Sequence, residues 1–127
     1  MTNPTGSTKH ISLQVRDQEG TAHTVRLVVT EQNETGTLSI LTPAGEVAQQ
    51  FALSHLKKSR DSTHLTCYVS GATATLSLKR DNNPPELHVS ASLFWPIFEA
   101  VYPLEPTEQQ RFMEWINSLS IGILASS

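Results

Sequence analysis

Alternation limits this chain more than any other feature. In His10–Arg16 the apolar residues Ile11, Leu13 and Val15 fall on one side of an extended backbone, with Ser12, Gln14 and Arg16 on the other. The pattern returns in Val25, Leu27 and Val29, in Leu38 and Ile40, and in Val47, Gln49, Phe51 and Leu53. It continues in Leu65, Cys67 and Val69, in Ala74, Leu76 and Leu78, and in Leu87, Val89, Ala91 and Leu93. A period of two spreads around a helix but lines one face of a strand, so the spacing predicts seven one-sided strands. Between them stand turn formers: Asp17 to Gly20, Glu31 to Gly36, Thr42-Pro43-Ala44-Gly45, Gly71-Ala72 and Asp81 to Pro85. Most of these links are too short for a parallel crossover, which leaves an antiparallel meander. The other faces are rich in hydroxyls, 14 Ser and 14 Thr with charged residues only 17%, and Thr suits a strand that faces water. A ribbon this long buries its apolar side by curling into a barrel or, failing that, by folding into a β-sandwich.

The last quarter changes period. Phe112, Trp115, Ile116 and Leu119 recur at helical spacing and make one apolar, aromatic stripe. Ahead of them Thr107-Glu108-Gln109-Gln110 reads as a capping box, with Pro106 ending the preceding segment. A helix is expected over about residues 107–121, with Ile123 and Leu124 as a packed turn or a short strand.

Seven antiparallel strands followed by one amphipathic helix resembles the pleckstrin-homology-like barrel. Gln109–Leu119 is similar to that family's terminal helix, with Trp115 in the position of its buried tryptophan. The resemblance implies a seven-stranded barrel plugged at one end by the helix. Two features depart from the family: the long interval from Trp95 to Pro106, and a first hairpin with only Arg16 and Arg26 around Asp17 and Glu19. Phosphoinositide-binding members carry a dense basic cluster there, so headgroup binding at that hairpin is not expected.

The chain is 127 residues, one domain's length, with residues 1–8 expected as a flexible tail and 9–127 as the domain. Its net charge of −3 argues against a chain that binds nucleic acid over its whole surface. No stretch reads as a secretory signal or a spanning helix, and the single Cys67 excludes an internal disulfide, so a cytoplasmic setting is expected. Cys67 shares the inward phase of Leu65 and Val69 and reads as a buried thiol.

Two surfaces stand out. A hairpin about Gly71-Ala72 would carry Lys79 and Arg80 back beside Lys57, Lys58 and Arg60, gathering five of the nine basic residues at one end. Such an end would attract phosphate, anionic lipid or an acidic partner, or it is a solvated loop end. The second surface is aromatic: Phe94, Trp95, Phe98 and Tyr102 hold four of the eight aromatic rings in a segment that alternates poorly. It reads as a hydrophobic partner surface, for another protein or a second copy, or as a flap folded over the barrel mouth. The five histidines lack metal-ligand spacing, there is no G-x-S-x-G elbow or phosphate loop, and no cofactor is implied. The residues therefore suggest a non-catalytic binding or adaptor module with a protein or anionic partner. The other reading is a small β-barrel carrier of an apolar molecule, in which Gln49 would be the polar residue inside.

Overall fold

The computed structural model describes residues 8–81, 85–93 and 96–124. It is mostly antiparallel sheet with one helix near the C-terminus: β1 (Thr8–Arg16), β2 (Ala22–Thr30), β3 (Thr35–Leu41), β4 (Val47–Lys58), β5 (His64–Val69), β6 (Ala72–Lys79), β7 (Glu86–Ser92), β8 (Pro96–Pro103), α1 (Pro106–Ser118) and β9 (Gly122–Ile123). Strands β1 to β8 pair in chain order, and β9 joins β4 in parallel. All seven expected strands are present. The tail expected over residues 1–8 lies outside the described residues, except Thr8, which opens β1 opposite Thr30.

Register turns the alternation into a core. Ile11 faces Leu27, Leu27 faces Leu38 and Leu38 faces Phe51, so one row of inward side chains crosses four strands. Leu65, Leu76, Val89 and Ala100 form a matching row in the second half. These cross-strand neighbours are the unit of sheet stability, and a slip of one residue would turn every one of them to water. Gly36 is required where it stands, because a β-carbon there would meet Val28 O at 2.3 Å. The β5–β6 hairpin turns at Ser70 and Gly71, both at positive φ (51° and 86°), the geometry that matches the twist of flanking strands.

Strand β4 makes the corner of the molecule. Val47–Leu53 pairs with β3, and from Ser54 the strand pairs with β5 instead. Between the two lies a bulge, with His55 at φ 55°. The extra residue resets the phase, so Leu53 and Leu56 are both buried although three residues apart. Beyond the bulge β9 occupies the side of β4 that β3 has left, and Leu124 N donates to Lys58 O at 2.8 Å.

Several expectations need correction. The interval from Trp95 to Pro106, expected as a link, is largely the strand β8, because Phe98, Ala100 and Tyr102 alternate toward the core. The sheet does not close into a barrel: β1 and β8 approach one another, yet neither has a second ladder partner among the described residues. Gln49 is exposed, not inside, because β4 begins beyond the end of β5. The Thr107 capping box does not form. The helix starts at Pro106, whose fixed φ suits a first helical turn, with Glu105 as an N-cap that makes no side-chain bond. Gln110 donates instead to Glu114 at 2.8 Å, one turn on. The helix ends at Ser118, short of 121, where Leu119 turns to extended backbone (φ −75°, ψ 134°).

Phe112, Ile116 and Leu119 are fully or almost fully buried against the strands, and Trp115 and Met113 pack partly buried beside them. Burying each of the first three contributes about 2–3 kcal/mol. The helix thus covers one end of the curled sheet. Cys67 is buried as expected, and burial pushes its thiol up to about 11.

Candidate functional site

The five basic residues of the expected patch lie on the helix side of the sheet but do not act together. Lys58, near the end of β4, is turned into the helix C-terminus: its Nζ donates to the carbonyls of Leu119 (2.7 Å), Asn117 (3.1 Å) and Ile116 (3.3 Å). Those carbonyls stand at the negative end of the macrodipole, and that of Ile116 also accepts from Leu119 N at 3.0 Å, so an ammonium is well suited to them. Lys58 is withdrawn from the patch by this work. Lys57, on the opposite phase, is exposed and lies over Gly122, where a β-carbon would stand 3.0 Å from its Nζ.

The same helix end holds two acids that sequence spacing does not single out. Glu31 is buried in the β2–β3 turn, accepts from Ser120 N at 2.7 Å and pairs with Lys9 at 3.4 Å. Lys9 also donates to Ser118 O at 2.6 Å. Glu34 accepts from Gly122 N at 2.9 Å. Opposite charges therefore satisfy both the carbonyls that leave the helix and the N–H groups that follow it. The only sequence signal for this is a pair of acids in a turn, which solvation explains equally well.

The link between β4 and β5 is held by side chains. Asp61 Oδ1 accepts from Ser59 Oγ (2.7 Å), Thr63 Oγ1 (2.6 Å) and Thr63 N (3.2 Å), and Ser59 Oγ accepts from the N–H groups of Thr63 and His64 at 3.1 Å each. The Thr63 and Ser59 hydroxyls hold the Asp61 carboxyl below the usual range. Arg60 rides exposed on this link. Beside it an open groove of about 670 Å³ is lined by Asp61, Thr63, His64, Lys79, Arg80, Asp81 and Gln109. Arg80 Nε donates to Gln109 Oε1 at 3.4 Å, tying the groove to the first turn of the helix. The β5–β6 hairpin does bring Lys79 and Arg80 to the end of the molecule that carries Arg60, but Asp61 and Asp81 share the groove with them.

Of the aromatic surface, Phe94 and Trp95 lie outside the described residues. Phe98 is half-buried, its ring 5.2 Å from that of Phe51. Tyr102 is 7% exposed and belongs to the core, a correction that follows from β8 being a strand with Tyr102 on its inner face. Burial, and then the nearby Asp17 carboxylate, raises its hydroxyl pKa. The apolar cavity among Leu38, Phe51, Leu53, Leu76 and Phe98 measures only about 10 Å³, roughly one water.

Asp17 and His23 form a second polar cluster. Asp17 accepts from the N–H groups of Glu19 and Thr21 at 2.9 Å each, and its Oδ2 lies 2.9 Å from His23 Nε2. His23 Nδ1 faces Leu41 O at 3.3 Å. The second ring nitrogen thus meets a backbone carbonyl, not a hydroxyl or thiol, and the arrangement fastens the β1–β2 turn to β3. The bonds from His23 and Thr21 lower the Asp17 pKa. No group of three or more His, Cys, Asp or Glu gathers in metal-binding geometry among the described residues, nor is any described helix long and apolar enough to cross a membrane.

Comparison with protein-family models, with curated proteins and with solved structures finds no match to this chain.

Proposed function

We propose that this protein is a non-catalytic binding module whose helix-side end takes an anionic partner, with Lys79 and Arg80 as the contacts and Arg60 on the adjoining β4–β5 link. One observation carries the reading. Lys79, Arg80, His64 and Gln109 line a single open groove, while Oδ1 of Asp61, the carboxylate on its β4–β5 side, is taken up by three donors of its own link. A phosphate or carboxylate entering the groove meets a guanidinium and an ammonium, opposed by the carboxylates of Asp61 and Asp81. The strand order and the Trp115 helix also support the pleckstrin-homology-like reading of the architecture, with the anion at the helix end and not on the first hairpin. A cytoplasmic setting fits the single, buried, unpaired thiol. The carrier reading has less support, since a cavity of about 10 Å³ holds no ligand.

The test is an NMR titration of the full chain with inorganic phosphate and, separately, with a polyglutamate peptide. Amide shifts are expected at His64, Lys79 and Arg80, with binding that weakens as salt is added. The double substitution Lys79→Ser and Arg80→Ser should cost at least about tenfold in affinity, the loss of charge-assisted contacts. Unchanged binding in the double variant, or shifts confined to other strands, would overturn the reading.

A further inference from the structure

The corner in β4 leaves half of that strand with a free edge. Val47–Leu53 is hydrogen-bonded to β3 on one side, while pairing with β5 begins only at Ser54 and pairing with β9 at Lys57. Among the described residues nothing forms a ladder with the other side of Val47–Leu53. The segment projects past the Ser70-Gly71 turn, and Val47, Ala48, Gln49, Gln50 and Ala52 are all exposed, Val47 at 53%.

Free edges are normally blunted by charge, proline or a covering element. The two other open edges of this sheet follow that rule. Strand β1 carries Lys9 and Arg16, and β8 begins and ends with the prolines Pro96 and Pro103 around Glu99. The β4 edge carries no charge, proline or covering element among the described residues, and its one irregularity is a bulge at Ala48, opposite Ile40 and Leu41. Its sequence, Val-Ala-Gln-Gln-Phe-Ala, has no charge, no proline and no glycine, and the nearest acidic and basic side chains along the chain are Glu46 and Lys57.

Such an edge is complementary to itself. A two-fold axis through Gln49 sets Gln49 opposite its own copy, Ala48 opposite Gln50 and Val47 opposite Phe51, so antiparallel pairing of two copies places neutral residues opposite neutral residues with the Gln49 carboxamides at the axis. A strongly acidic or basic foreign strand would find no opposite charge there. We propose that β4 is a self-association edge: two copies of this chain pair through Val47–Phe51, joining their β1–β4 sheets into one continuous sheet. The inference does not rest on the anion-binding reading, because the edge is at the end of the molecule away from the helix.

Sedimentation equilibrium of the full chain over a wide concentration range tests it. A monomer–dimer equilibrium is expected, and Gln49→Lys should raise the dissociation constant at least about tenfold by setting like charges face to face. Gln18→Lys, on the exposed β1–β2 turn, should leave it unchanged, and circular dichroism should show both variants folded. Amide exchange in the unaltered protein adds a measurement independent of any variant: the outward-facing amides of Val47–Phe51 should become protected as concentration rises. A monomer up to the solubility limit, a dimer indifferent to Gln49→Lys, or edge amides whose exchange ignores concentration would each overturn the proposal.

Discussion

Replacing Phe112 by alanine should lower the stability of the fold by about 3–5 kcal/mol, the cost of an emptied aromatic site in a packed core. Phe112 is fully buried, and it sits in α1 where the helix lies across the end of the sheet. Its removal opens a cavity bordered by two layers that are joined mainly by side chains, so the site has little means of collapsing. For a chain of this size the loss is roughly 10–20 °C in melting temperature. Replacing Thr107, exposed on the first turn of the same helix and making no cap, should shift the melting point far less. Thermal unfolding followed by circular dichroism compares them, and equal effects would mean that the helix does not seal the core.

Lys58→Met should cost about 1.5–3 kcal/mol, the range for hydrogen bonds made by a charged group. Methionine keeps most of the apolar stem, so the difference isolates the ammonium that binds the carbonyls of Ile116, Asn117 and Leu119. Lys79→Met, at an exposed position, should fall within about 0.5 kcal/mol of the unaltered protein. Urea unfolding of both variants measures the contrast. If Lys58→Met were as mild as Lys79→Met, the helix C-terminus would not depend on its lysine clamp.

Much of the architecture is legible in the residues because one physical signal, period-two burial, repeats with clean polar alternation. Where the alternation is blurred, reading fails. Strand β8 has Phe98, Ala100 and Tyr102 inward, but Val101 on the other face and prolines at both ends hide the period. The same ambiguity made Tyr102 look like surface. In β4 the phase slips first at Ala48, holds from Gln49 through Leu53 and slips again at His55, at bulges that no residue type announces. Gln49 keeps the inward phase yet is exposed, because phase says which way a side chain points and not whether the sheet has a neighbour there.

The helix shows the same division. Its apolar stripe is plain, but its boundaries depend on Pro106 competing with Thr107 for the start and on lysines from distant strands at the end. Lys58 looked like one of five solvated cations because its partners are backbone carbonyls 58, 59 and 61 residues away, invisible to any spacing rule. Glu31 and Glu34 were missed for the same reason. The approach of Lys79 and Arg80 to the β4–β5 link was readable from a tight hairpin, although the turn is Ser70-Gly71 and not the expected Gly71-Ala72, so that His64 faces Ser77 where counting from the expected turn gives Lys79. The carboxylate of Asp61 bound within that link was not.

Fastening of residues 119–124 to β4 and to the β2–β3 turn is what binds these observations together. Residue-resolved native hydrogen exchange reads it directly. The amides of Leu119, Ser120, Gly122 and Leu124 donate to Ile116 O, Glu31, Glu34 and Lys58 O, and they should exchange as slowly as those of the central strands, opening only with global unfolding. Exchange of these amides at the rate of a frayed terminus, while the strands stay protected, would contradict it.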